Sequence, residues 1–199
     1  MSPAPARSRL LVHACCAPCA CVPLERLADR YELALVFDGL NIHPAAEAER
    51  RLADLRRLCG DRGLELIERD YQPALWERVV GPHAAEPESS HRPRCQACYR
   101  LRMERTAALA RERGCDCFSM TLSLSRHKSS AVLAALGRAV AEQFGVAYLA
   151  EDFKKRDGYG LSLQRSRELD LYRQDYCGCR LSLDEARARR ARRRTGPSA

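Results

Sequence analysis

Residues 9–37 read RLLVHACCAPCACVPLERLADRYELALVF. Arg9 to His13 is an apolar run of strand length, and Glu32 to Phe37 is a second. Between them the chain bends through cysteines and enters a helix from about Pro18 to Arg30. A strand, a helix and a strand in so short a span read as a parallel unit, because the helix carries the chain back along the sheet.

The alternation continues outward. A long helix starts near Pro44, where proline suits the first helical position, and reaches about Asp61. Leu64 to Glu68 is strand three, and a short helix follows Pro73. Gly81, Pro82, Pro87, Ser89, Ser90 and Pro93 mark residues 81–94 as a mobile loop. Then come a helix from Gln96 to about Arg113, strand four from Asp116 to Thr121, a helix from Ala131 to Phe144, strand five from Val146 to Leu149, and a helix near Leu161 to Leu171. The expected fold class is α/β: a largely parallel five-stranded sheet flanked by helices.

Open sheets of this kind bind ligands outside the carboxyl ends of their strands. Those ends carry the distinctive residues: Cys15, Cys16 and Cys19 after strand one; Asp38, Asn41 and His43 after strand two; Asp70 and Tyr71 after strand three. Ser123, Ser125, His127 and Lys128 follow strand four, and Asp152, Lys154 and Lys155 follow strand five. Five loops thus deliver polar chemistry to one rim.

Seven of the eleven cysteines fall in three tight groups: Cys15, Cys16 and Cys19; Cys95 and Cys98; Cys177 and Cys179. A structural zinc needs four ligands, so seven thiols point to an iron–sulfur cluster with sulfurs left over for a second metal or for redox chemistry. Cys19 and Cys95 lie 76 residues apart, which excludes a local zinc ribbon but not a zinc site assembled by folding. Cys16 and Cys19 flank the start of the first helix, Cys95 is expected at the N-cap of another with Cys98 in its first turn, and Gly178 permits a sharp Cys-x-Cys turn. Cys21, Cys59, Cys115 and Cys117 read as small buried hydrophobes.

No apolar run approaches the roughly 20 residues that span a membrane. Leu10 to Val12 before His13 is far shorter than the apolar stretch of about 7 to 15 that a signal peptide needs. A cytoplasmic setting follows, where clustered thiols stay reduced. The formal charge is +8, of which residues 180–199 carry +5 through seven arginines against Asp184 and Glu185. That end is either a solvated tail or a phosphate-seeking arm. The domain reading is therefore one α/β metalloenzyme domain over residues 1–182 and a flexible Arg-rich C-terminal tail over 183–199.

LLVHACCAPC (10–19), NIHP (41–44) with ERRL (49–52), ERDYQPALW (68–76), RCQACYRLRMERTAALA (94–110), TLSLSRHKS (121–129), EDFKKRDGY (151–159) and LYRQDYCGC (171–179) occur in this order. With these motifs the chain resembles the cobalamin-independent epoxyqueuosine reductases of the QueH type. The stretch FDGLNIHP departs from the family pattern in lacking an aromatic and an Asn before NIHP, and Ser123 and Ser125 stand in a variable stretch. The resemblance implies a Rossmann-like (HUP-type) fold shared with ATP-dependent tRNA-modifying enzymes. It also implies a [4Fe–4S] cluster with an adjacent mononuclear metal ion, iron or zinc. The implied substrate is tRNA carrying epoxyqueuosine in its anticodon loop, reduced to queuosine by an unidentified electron donor.

The surplus thiols suggest that four cysteines hold the cluster while the others, with a carboxylate, hold a single metal that binds the epoxide oxygen. Asp70, Asp152 and Asp175 are the candidate carboxylates, and His43 and His127 the candidate proton donors. For the RNA, Asn41 and Lys128 stand at the rim. Tyr71, Phe153, Tyr159, Tyr172 and Tyr176 offer stacking, and Lys154, Lys155, Arg156 and Arg173 offer phosphate contacts. Two rivals are an ATP-dependent tRNA thiolase-like enzyme and a zinc-stabilised RNA-binding module. HACCAPC offers no glycine where the former carries its phosphate loop.

Overall fold

A computed structural model describes residues 7–195. Five parallel strands, β1 (Arg9–His13), β2 (Glu32–Phe37), β3 (Glu65–Glu68), β4 (Cys117–Met120) and β5 (Ala147–Tyr148), form one sheet in the order β3-β2-β1-β4-β5. In register Leu11 faces Ala34 on one side and Phe118 on the other, which puts β1 at the centre. All of it matches the α/β expectation, with a Rossmann-like topology.

Alternation along the central strands sorts side chains to two apolar layers. Leu10, Val12, Leu35 and Phe37 pack on α1 (Ala17–Leu27) and α2 (Ala45–Arg62) through Leu24, Leu27, Leu52 and Leu55. Leu11, Val36, Phe118 and Met120 pack on α4 (Pro93–Glu112) and α5 (Ser130–Phe144) through Met103, Ala107, Leu133 and Val140. A third, smaller cluster joins α3 (Pro73–Val80) to α4 through Trp76, Val80, Cys98 and Leu101, with Cys179 inside it. α6 (Gly158–Glu168) covers α1, where Ser162 Oγ donates to the Pro18 carbonyl at 2.7 Å.

Three expectations need correction. Residues 183–199 are not simply a flexible tail: α7 spans Arg180–Thr195, with Leu183 and Ala186 buried and Glu185 gripping the buried Arg94 at 2.7 and 3.2 Å. Apolar positions at helical spacing thus anchor a segment whose charge dominates its sequence; residues 196–199 lie outside the described residues. The loop before α4 is pinned, because Ser90 is buried and accepts from the Ser129 N–H at 3.0 Å while Glu88 pairs with Lys128 at 2.7 Å. The N-cap of α4 is Arg92, with Pro93 opening the helix, so Cys95 lies in its first turn and Cys98 in its second.

Candidate metal centre

The strand order reverses between β1 and β4, so the loops leaving their carboxyl ends diverge and open a crevice. Cys15 and Cys16 line it from the turn after β1 and Cys19 from the first turn of α1, Cys16 being the N-cap of that helix. Their sulfurs all lie within 4.8 Å of one another, and no carboxylate or imidazole joins them among the described residues. Cys95, Cys98, Cys177 and Cys179 form a second group: the four line one small cavity with Asn41, Trp76, Glu88, Arg94 and Tyr99. All eleven cysteines are free thiols.

Folding brings the quartet together by two devices. Cys95 and Cys98, three residues apart, share one face of α4. The Cys177–Cys179 turn comes from the far end of the chain and is clamped by α2 and the residues just before it. There Arg51 donates to the Cys177 carbonyl at 3.2 Å, and the Gly178 carbonyl accepts the His43 N–H at 2.8 Å. The sulfurs also receive donors, from Trp76 Nε1 to Cys98 Sγ at 3.2 Å and from Gln174 Nε2 to Cys16 Sγ at 3.1 Å. Such contacts orient ligands in metal sites.

The thiols share their protons unequally. Hydrogen bonds with Cys16 and Cys19 hold Cys15 well below the usual thiol range, and the bond with Cys15 pushes Cys16 up to about 12 and Cys19 well above its usual value. Burial pushes Cys177 up to about 12 and raises Cys179. Metal ions displace such protons, so loading the site releases them. His13, at the end of β1, is lowered to about 4 by burial and by Arg102, and is therefore neutral.

Buried cations surround the sulfurs, and the sequence reading singled out only Lys128 among them, for another role. Arg51, Arg94, Arg102 and Lys128 are all 5% exposed or less. Arg51 pairs with Glu47 at 2.8 Å, Arg94 with Glu185, and Lys128 with Glu88. Spacing held a signal for Arg102, since residues 95, 98 and 102 follow the i, i+3, i+7 pattern of one helix face.

Other candidate residues are placed as follows. Asn41 is buried beside the quartet with neither amide atom bonded, and His43 is locked next to the Cys177–Cys179 turn, its carbonyl accepting the Tyr176 hydroxyl at 2.5 Å. Asp70 and His127 are exposed, Asp152 pairs with Lys154 at 3.1 Å, and Asp175 with Arg190 at 3.2 Å; none of them joins either sulfur group. The carboxylate that does face the quartet is Glu88, which the sequence reading missed. Lys128, expected on the RNA surface, is buried by its ion pair with Glu88, and Lys154 is turned inward to the Ser123 carbonyl at 2.8 Å. Lys155 remains exposed. Tyr172 stacks with Arg50 at 3.5 Å and Tyr159 with Arg126 at 4.2 Å, so these rings already carry guanidinium partners.

A larger cavity than the one at the thiols lies elsewhere among the described residues. About 490 Å³ opens beyond β2 and β3, lined by Phe37, Gly39, Leu52, Arg56, Arg69 and Tyr71, whereas the quartet's cavity is about 10 Å³. Only the former is within the roughly 300–1,000 Å³ of small-molecule sites. The short 3-10 turn Gly39–Asn41 borders both, with Gly39 on the large cavity and Asn41 on the thiol side. Tyr71, at 37% the most exposed large ring, stands at that cavity and bonds the Ile42 carbonyl at 2.8 Å.

Fold and site together define a parallel α/β protein whose switch-point crevice is lined by reduced thiols. The family model described as Epoxyqueuosine reductase QueH matches residues 10–185, and the chain belongs to that family of oxidoreductases. Relatives bearing that description include one from Streptococcus pyogenes serotype M1, 36% identical over 87% of this chain and 69% of its own length. Another, from Thermotoga maritima, is 32% identical over 92% of this chain and 94% of its own. Among solved structures, the U34-tRNA thiolase NcsA from Methanococcus maripaludis with its [4Fe–4S] cluster superposes with a TM-score of 0.54. At 11% identity over 96% of this chain and 67% of the thiolase, that likeness concerns the fold. Among the described residues no helix is long and apolar enough to cross a membrane.

Proposed function

We propose that this protein reduces epoxyqueuosine in tRNA to queuosine, using a [4Fe–4S] cluster on Cys95, Cys98, Cys177 and Cys179 and one mononuclear metal ion, iron or zinc, on Cys15, Cys16 and Cys19. The observation that carries the reading is the separation of seven thiols into a quartet around one cavity and a close trio beside it, both at the switch point. Four buried thiols suit a cubane cluster, and three leave the open position that a catalytic metal requires.

The reaction removes the epoxide oxygen as water and leaves an alkene, consuming two electrons and two protons. A cluster bound there supplies electrons, and a metal ion beside it supplies Lewis acidity toward the epoxide oxygen. Among the chain's own groups, Trp76 and Gln174 aim N–H donors at the sulfurs. Asn41 offers a free buried amide to a bound polar group. His43, held by Gly178 and Tyr176, is better placed than the exposed His127 to deliver protons. The large cavity with Tyr71 receives nucleotides of the anticodon loop, since unpaired bases are read by stacking. Reduced thiols require a cytoplasmic setting and a reductant supplied from outside the chain.

Anaerobic purification tests this. Brown protein with absorbance near about 400 nm, four or more irons per chain and ATP-independent conversion of epoxyqueuosine-containing tRNA is the expected result (cf.). Colourless protein with stoichiometric zinc and no turnover overturns it in favour of an RNA-binding module, and turnover requiring ATP favours a thiolase-like enzyme.

Helix α7 refines how the RNA is held. Arg187, Arg189 and Arg193 are exposed on it, while Leu183, Ala186 and Glu185 tie it to the body, so removing everything after Arg180 would also strip core packing. Replacing Arg187, Arg189 and Arg193 by glutamine is expected to weaken tRNA binding and flatten log K against log salt by about 0.7 for each phosphate no longer neutralised. Filter binding across a salt series checks it, and an unchanged slope removes α7 from the interface.

A further inference from the structure

Arg102 differs from every other buried cation around the sulfurs. It is 1% exposed, its Nε has no partner, and its terminal nitrogen donates only a long 3.5 Å contact to His13 Nδ1. Among the described residues no carboxylate lies within ion-pair distance of it, whereas Arg51, Arg94 and Lys128 each hold one. The contact to Nδ1 places the His13 proton on Nε2, so His13 adds no charge of its own. A guanidinium cannot lose its proton, and burying it without an anion is strongly unfavourable. The fold must therefore provide that anion.

The sulfurs provide it. Cys98 lies one turn before Arg102 on the same face of α4, and the His13 that Arg102 contacts stands two residues before Cys15; negative charge on Cys98, Cys15 or Cys177 favours the charged guanidinium. We propose that Arg102 is the counter-charge shared by the quartet and the trio, a positioning residue that stabilises the thiolate-bound state of both and sets the ease with which the centre accepts an electron. This rests on the reading that the quartet holds an iron–sulfur cluster. A reduced cluster carries one more negative charge than an oxidised one, so a fixed cation beside it favours reduction. Because the same cation interacts electrostatically with cysteines of both sulfur groups, a change of charge on one is felt by the other.

The test is a redox titration of the anaerobically loaded protein, followed by absorbance and electron paramagnetic resonance. Arg102→Met, close in length but neutral, is expected to lower the midpoint potential so that reduction is at least about tenfold less favourable, about 59 mV for one electron. Arg102→Lys, which keeps the charge, is expected to stay near the wild-type value. Should Arg102→Met fail to retain iron while Arg102→Lys loads normally with wild-type potential, the charge is again responsible. Equal shifts in both variants, no shift in Arg102→Met, or loss of iron from both variants overturns the proposal by making shape, not charge, decisive. Wild-type protein that takes up no cluster contradicts the underlying reading instead, and the two failures are thereby distinct.

Discussion

Alanine at Cys95, Cys98, Cys177 or Cys179 is expected to remove the proposed cluster: iron and sulfide fall to background, the visible absorbance disappears and reductase activity is lost by at least about a thousandfold, the scale expected when an essential centre is gone. Each of these residues lines the same cavity, and among the described residues no fifth cysteine lines it. Alanine at Cys16 behaves differently. It takes one of three close sulfurs from the neighbouring group, so activity and one metal equivalent are lost while most cluster absorbance remains. Cys59 is the control, because it is 2% exposed within the apolar layer of α2 and belongs to neither sulfur group. Cys59→Ala costs about 1 kcal/mol of stability, typical of a buried truncation, and leaves metal content unchanged. Iron, zinc and sulfide analysis of the anaerobic variants checks all three patterns. Full iron in Cys95→Ala would refute the quartet, and loss of all absorbance in Cys16→Ala would show that the seven sulfurs act as one group.

The fold was legible because local pattern decides it. β1 and β2 begin and end where their apolar runs do, and the five-strand alternation leaves few other topologies. The rim followed from the topology, and so did the gathering of the cysteine groups. The division into quartet and trio was not legible, because it depends on residues 177–179 meeting the start of α4, a contact with no local signal. The buried cations were hidden for another reason. In ERRL the neighbours Arg50 and Arg51 look alike, yet one lies exposed on Tyr172 while the other is buried beneath the Cys177 carbonyl. Charge normally marks the surface, and it misleads where a protein buries anions of its own. Lys128 misled in the same way, since only Glu88, forty residues away, reveals that it points inward. The arginines of α7 masked the apolar spacing of Leu183 and Ala186.

Gly178→Ala is expected to cost the protein most of its cluster while leaving the sheet intact. Gly178 sits at φ +133°, a backbone region that side chains rarely adopt, and its surroundings are tight. A Cβ there would lie 3.1 Å from a terminal nitrogen of Arg51 and 3.3 Å from the Asn41 amide nitrogen, so these neighbours would have to give by a few tenths of an ångström. Arg51 is held by Glu47 and by the Cys177 carbonyl, and Asn41 lies in the short turn between the two cavities. The turn must therefore move, and the sulfurs on either side of it move with it. Backbone strain of this kind is worth about 1–3 kcal/mol, a modest fraction of a domain's stability but enough to shift a ligand out of reach. Circular dichroism should show near-native helix content with a melting temperature lower by several degrees, about 2–4 °C per kcal/mol for a chain of this size. Iron analysis should show a loss of more than half. Retention of wild-type iron would mean that the Cys177–Cys179 turn does not shape the centre, and that a different pair of thiols completes it.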